Sequence, residues 1–363
     1  MLSQHHIIAL GFVPGITYSA IQQLIASGLS LDELLRLYDH DLLQFQLKGK
    51  TLRSMREMTP YLQEAERQEQ RADEFGASIV TIADEKYPDS LRQIWSAPTV
   101  LYLKGELLPE DRNAIAIVGT RGGSVYGKIT AEKYAEAFAR AGVSVVSGLA
   151  RGIDTWAHKG TLRAGGRTVA VIASGLDRIQ PAISAQLAEE ISEKGAVITE
   201  YPFGVKALRP YFPQRNRIIS GVTAGTVVVE SDLKGGALIT ARFALDQNRE
   251  VFAVPGPINS PRSNGTNNLI RTDRARLTQA PEDVLESLGF HIPRPNQNEP
   301  LQPTQSLTVF EQLVWDHLSG EPIHIDDLCE KSGLSPSDLL VTLLSLEFKG
   351  LARQMAGKMF LRM

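Results

Sequence analysis

The chain has 363 residues, 43% of them hydrophobic and 22% charged, which fits two or three ordinary globular domains. The single cysteine, Cys329, excludes an intrachain disulfide framework and fits a reducing, cytoplasmic setting. Met1–Leu10 has two histidines and no Lys or Arg, so it is no secretory signal, and no apolar run approaches the ~18 residues of a membrane helix.

The net charge of −3 is unevenly spread. Residues 1–112 carry 11 basic and 16 acidic side chains, residues 113–288 carry 21 and 16, and residues 301–363 carry 5 and 8. Only the middle stretch, at net +5, favours an anionic partner.

Residues 1–75 read as a helical domain, with Ile21, Leu24 and Ile25, then Leu31, Leu34 and Leu35, at helix spacing. Within it, Val13-Pro14-Gly15-Ile16 resembles half of a helix-hairpin-helix, but Thr17 stands where a second glycine belongs, and a plain helix turn accounts for it as well. From Ala114 the pattern changes. Short apolar runs at Ala114–Val118, Val143–Val146, Thr168–Ala173, Ala196–Thr199, Thr226–Val229 and Glu250–Val254 alternate with amphipathic stretches such as Ala131–Ala141, Ala182–Glu193 and Leu238–Gln247. Buried parallel strands with crossover helices read this way, and they predict an α/β, Rossmann-like, doubly wound and mostly parallel sheet in a domain over residues 76–290. Val251–Val254 closes the strand series and predicts an edge that a second copy could cover. Residues 291–305, rich in Pro, Asn and Gln, read as a linker. Residues 306–363 show three apolar helical stripes, a Ser335-Pro336 helix start and a hairpin pattern about Gly357, the order of a winged helix-turn-helix.

Four loops of the α/β stretch carry chemistry. Gly119-Thr120-Arg121-Gly122-Gly123-Ser124 follows a strand and opens a helix, where amides and the helix dipole hold anions. It lacks the G-x-G-x-x-G and Walker spacings, so a dinucleotide or nucleoside triphosphate is not expected. Arg121 suits a phosphate, and an ion pair with Glu200 or Glu230 is the competing reading. Ser147-Gly148-Leu149-Ala150-Arg151-Gly152-Ile153-Asp154 follows the next strand, with Asp154 a helix N-cap and His158 on its face. Phe212-Pro213-Gln214-Arg215-Asn216-Arg217 sets two arginines at a helix start, a cost to the helix that an anion would offset. Tyr201, Phe203, Tyr211 and Phe212 lie nearby, at least two of them expected in the core and the rest available for base stacking. Lys234-Gly235-Gly236 opens another helix with bare amides after Glu230, which would serve either as a catalytic acid or as a partner for Arg121 or Arg217.

Taken in order, Ile117–Arg121, Ser147–Asp154 with Ala157-His158, Thr199–Pro202, Phe212–Ser220, Leu238–Ala241 and Val251–Gly256 resemble the DNA-processing protein A (DprA/Smf) family. The resemblance covers roughly residues 75–288, and the flanking segments fit that family's N-terminal SAM-like or helix-hairpin-helix-like domain and C-terminal winged-helix domain. It implies a non-catalytic, cofactor-free homodimer that binds single-stranded DNA during natural transformation and loads the RecA recombinase. Carried over residue by residue, the DNA pocket comprises Arg121, Ser147, Gly148, Arg151, Arg215, Asn216, Arg217 and the loop Lys234, Gly235, Gly236. This chain departs from the pattern where Gly235-Gly236-Ala237 replaces a usual Ser-Gly-Ser, where Arg274-Ala275 replaces Gly-Ala, and at Ile179-Gln180-Pro181.

Two other readings compete. A nucleotide or phosphoribosyl hydrolase on a related Rossmann-like scaffold would use Glu230 or Asp154, but Lys234–Ala237 lacks the Gly-Thr and following acid of the cytokinin-activating group. A transcription factor would read duplex DNA with Ser335–Phe348, which contains no Lys or Arg.

Overall fold

Each central strand is apolar on both faces, so it must be covered on both. In the computed structural model, which describes residues 1–291, 307–355 and 357–362, that covering is complete. Strand β3 (Ala114–Val118) sends Ile115 and Ile117 into one core with Tyr134, Phe138 and Ile153. Its alternate residues Ala114, Ala116 and Val118 enter a second core with Ile218, Ile219 and Ala241.

The other strands are β1 (Ser78–Thr81), β2 (Val100–Gly105), β4 (Ser144–Ser147), β5 (Thr168–Val171), β6 (Ala196–Thr199), β7 (Gly225–Val228), β8 (Glu250–Ala253) and β9 (Arg276–Leu277). They form one nine-stranded sheet in the order β1-β2-β6-β5-β4-β3-β7-β8-β9. From β6 to β9 every pairing is parallel. The winding reverses between β3 and β7, which puts the ligand crevice outside their carboxyl ends.

Three strands carry no clear sequence signal. β1 and β2 extend the sheet beyond β6, and β2 runs antiparallel to it, with Tyr102 opposite Thr199 and Gly105 opposite Ala196. β8 is not the edge that the sequence predicts, because β9 pairs with it through Phe252–Arg276 and Ala253–Leu277. Both β9 residues are exposed, so no apolar alternation announces the strand.

The N-terminal helices belong to the same compact unit, Met1–Pro293. Ile7, Ile8, Leu10, Leu24 and Leu34 share a core with Tyr102, Ile172, Leu187 and Phe203. Buried Gln68 fixes this junction by accepting the Phe203 amide at 2.8 Å. Thr17, where the second hairpin glycine is missing, caps the helix Tyr18–Ala26 by accepting from the Ala20 amide.

The second unit, Arg294–Met363, includes most of the predicted linker, and residues 292–306 lie outside the described residues. It has helices at Val309–His317, Ile325–Ser332 and Pro336–Phe348 and a sheet of β10 (Ile323–His324), β11 (Ala352–Met355) and β12 (Met359–Arg362), ordered β10-β12-β11. This is the winged helix-turn-helix read from the sequence. Ser335 caps the third helix, accepting from the Asp338 amide at 3.2 Å. That helix exposes Leu340, Val341 and Leu344, an apolar rather than a basic face.

Candidate nucleic-acid interface

An open cleft of about 580 Å³ lies at the carboxyl ends of β3 and β7. The loop after β3, the start of the helix Tyr211–Gly221 and the start of the helix Ala237–Asp246 line it. Arg121, Arg215, Asn216, Gly235 and Gly236 meet there, as the sequence predicts, together with Arg209, which it does not single out.

Arg121 is exposed, and its guanidinium carbon sits 5.1 Å from the centre of the Phe212 ring. It pairs with neither Glu200 nor Glu230. Glu200 is bound in a fork by Arg217 at 2.7 Å for both nitrogens. Glu230 is buried and accepts from the Ser124 amide at 2.9 Å and the Ser124 hydroxyl at 2.5 Å. A protein carboxylate therefore occupies the start of the helix Val125–Arg140, where the sequence predicts an anion site. Glu230 thus partners Ser124 rather than Arg121 or Arg217.

The Arg-Asn-Arg segment divides its labour. Arg215 is 4% exposed and donates to the carbonyls of Gly148 (2.8 Å) and Val171. Burial pulls its pKa down to about 10, against the pull of Asp154, so it stays charged at neutral pH. Arg217 spends its Nε on the Ser96 carbonyl at 2.8 Å and its remaining nitrogens on Glu200 and the Gln214 carbonyl. Both guanidiniums are held by protein acceptors, and Arg215 lines the cleft from its buried position. Asn216 stays in the cleft, where its Nδ2 reaches the Gly236 carbonyl at 3.4 Å.

Ser147 and Gly148 are also engaged within the protein. The Ser147 hydroxyl donates to the Ile117 carbonyl at 2.6 Å inside the sheet, and the Gly148 amide donates to Asp154 at 3.1 Å. Asp154 is not the predicted N-cap. Gly152 takes that position at φ +81, with its Cα so close to the loop after β3 that a Cβ would lie 2.4 Å from the Thr120 carbonyl. Asp154 instead folds back onto the Gly148 and Ala150 amides, and burial pushes its carboxyl pKa up while Arg215 pulls it down. Arg151 and Arg209 are exposed and have no carboxylate partner among the described residues. Of the four aromatics, Phe203 alone is core, where the sequence predicts at least two. Tyr201 and Tyr211 stack at 4.3 Å and 22°, both half-buried.

The loop after β7 presents bare backbone amides and lacks the two serine hydroxyls of the pattern it resembles. The amides of Gly236 and Ala237 have no protein partner among the described residues, and Lys234 is exposed beside them. A Cβ at Gly235 would sit 2.1 Å from the Ser231 hydroxyl, so Ser231 fills the space that a serine at 235 would need.

His158, on the helix Ile153–Arg163, is wholly buried against the start of β5. The Thr168 hydroxyl donates to the Val145 carbonyl at 2.7 Å, so it accepts from His158 Nδ1, also at 2.7 Å, and leaves Nε2 bare. Burial, with Arg215 adding to it, pushes the His158 pKa from 6.5 down to about 3. The folded state then refuses a proton that the unfolded chain takes up below pH 6.5. Stability is expected to rise with pH across this window, and to drain on acidification by up to about 1.4 kcal/mol per pH unit. Urea unfolding at pH 7 and pH 5 measures this, with His158→Gln as the flattened control; equal acid sensitivity in the two proteins would remove His158 as the cause.

The family described as DNA recombination-mediator protein A matches residues 78–289, and the DprA winged-helix domain matches residues 298–358. The chain belongs to the DNA-processing protein A family. Protein Smf of Escherichia coli (strain K12) is 39% identical over 278 residues, 75% of this chain and 74% of that protein. The crystal structure of DNA processing protein A from Streptococcus pneumoniae superposes with a TM-score of 0.69 at 32% identity, covering 80% of this chain and 99% of that one. DNA processing protein A of Helicobacter pylori, a protein described for its single-stranded DNA binding mode, superposes with a TM-score of 0.54 at 27% identity over 59% of this chain and 97% of that one. No helix among the described residues is long and apolar enough to cross a membrane.

Proposed function

We propose that this chain is a recombination mediator that holds single-stranded DNA along the carboxyl rim of its sheet. The observation that carries the reading is exposed Arg121, resting on half-buried Phe212 and facing the unpaired Gly236 and Ala237 amides across one cleft. Cations and amides take backbone phosphates, and aromatic faces take bases without choosing among them. Arg121, Arg151, Arg209, Asn216 and Lys234 are the side chains offered to the strand. Arg215, Arg217, Ser147 and Gly148 shape the floor that presents them. The Helicobacter relative's single-strand binding supports the same ligand here.

The proposal extends to a homodimer that protects incoming DNA and delivers it to RecA in the cytoplasm, without catalysis. The winged helix suits a protein surface better than duplex DNA, because its third helix is apolar and acidic. A gel shift of single-stranded and duplex oligonucleotides at several salt concentrations tests the central claim. The expected result is a preference for the single strand that weakens steeply with salt; equal affinity for both forms would sink it.

A further inference from the structure

The carboxyl rim does not end at the cleft. Because β2 runs antiparallel to β6, its amino end lies at the carboxyl end of β6, beside Glu200 and Tyr201. The segment Ile94–Pro98 leading into β2 therefore stands on the same rim as the loops after β3 and β7. It carries Trp95, whose side chain is 95% exposed.

A lone exposed apolar residue is ordinary, but this one is held in place. Arg217 donates to the carbonyl of Ser96, the next residue, at 2.8 Å while its fork grips Glu200. Leu91 and Ile94 pack so tightly on the helix Tyr211–Gly221 that a Cβ at Gly221 would lie 2.8 Å from Leu91 and 3.2 Å from Ile94. On the other side, buried Tyr87 donates to the Pro98 carbonyl at 2.6 Å. The indole is thus presented on a pinned base, with its apolar surface turned to water.

The surface between cleft and indole suits the same ligand. Phe212 lines the cleft, the stacked Tyr201–Tyr211 pair follows, and the Tyr201 hydroxyl meets Gln214, whose carbonyl accepts from Arg217. One helix, about 10 Å wide, carries the cleft residues on one flank and the contacts to the Trp95 segment on the other. We infer that a single strand leaving the cleft crosses the Tyr201–Tyr211 pair and stacks a base on Trp95, which forms a second subsite. This rests on the proposed reading of the cleft. It also gives the Arg217–Glu200 pair a purpose, that of a clamp positioning the subsite.

The test compares labelled oligothymidylates of about 6 and about 20 nucleotides. Anisotropy reports binding whatever the tryptophans do. With the full chain, the longer strand is expected to bind more tightly and to quench tryptophan emission, while the shorter one fills the cleft and quenches little. Trp95→Ala is expected to weaken the longer strand by roughly tenfold and the shorter hardly at all, and Trp95→Phe to restore most of the loss, because stacking needs a π-face rather than an indole. Emission from Trp156 and Trp315 remains in both variants as a control. If both oligomers bind Trp95→Ala as they bind the wild type, the second subsite is overturned and the cleft stands. If neither binds the wild type, both readings fall together.

Discussion

Replacing Arg215 by methionine is expected to destabilise the Met1–Pro293 unit by about 3–5 kcal/mol, the usual cost of removing one partner from a buried charged network. The guanidinium is 4% exposed, and it holds the Gly148 and Val171 carbonyls together where the ends of β4 and β5 come close. Methionine fills much of the volume but donates nothing, so two buried carbonyls lose their partner. Asp154 loses its nearest cation at the same time. It keeps the Gly148 and Ala150 amides, so its carboxylate is weakened rather than abandoned. Urea unfolding of the single variant and of Arg215→Met with Asp154→Asn measures the coupling: the double variant should recover part of the loss, because no uncompensated charge remains. A single variant within about 1 kcal/mol of the wild type would mean that the network has little structural weight. Binding measured on the folded fraction should change less than stability does.

Arg215 also shows where the sequence stops being informative. The parallel core was legible because strands buried on both faces read as continuous apolar runs, and all six predicted runs fall within a residue or two of β3, β4, β5, β6, β7 and β8. The antiparallel β2 has an apolar stretch too, Leu101-Tyr102-Leu103, but no crossover helix follows it to announce a strand. The loops that build the cleft were legible from glycines and cations at strand ends. Their division of labour was not, because three arginines within two loops look alike until burial separates them. Arg121 faces water, Arg215 is sealed in and Arg217 is consumed by Glu200. Arg209 was missed because it stands alone before Pro210, outside any motif. The absent family hydroxyl at 235 looked like a loss, yet Ser231, four residues earlier, occupies its space.

Arg121→Ala is expected to produce the largest loss of single-strand affinity, about 1–3 kcal/mol, with little effect on folding. The side chain is exposed and has no carboxylate to release, so its removal leaves no buried group unpaired. In the folded protein it rests on Phe212, at 5.1 Å, which holds the planar cation over the cleft before any ligand arrives. A strand that places a phosphate there displaces a counterion, and that contact should carry about 0.7 of the salt slope, the value for one phosphate of a single strand. Arg121→Lys separates charge from shape. It keeps the cation and so most of the slope, but it loses the planar face on Phe212 and the two-pronged grip on phosphate. Affinities of the three proteins for one oligothymidylate, measured from low to moderate salt, should therefore fall in the order wild type, Lys, Ala, with the slope reduced only in Ala. An Ala variant with the wild-type slope would show that Arg121 does not touch the backbone, and the strand would have to be traced through Arg151, Arg209 and Lys234 instead.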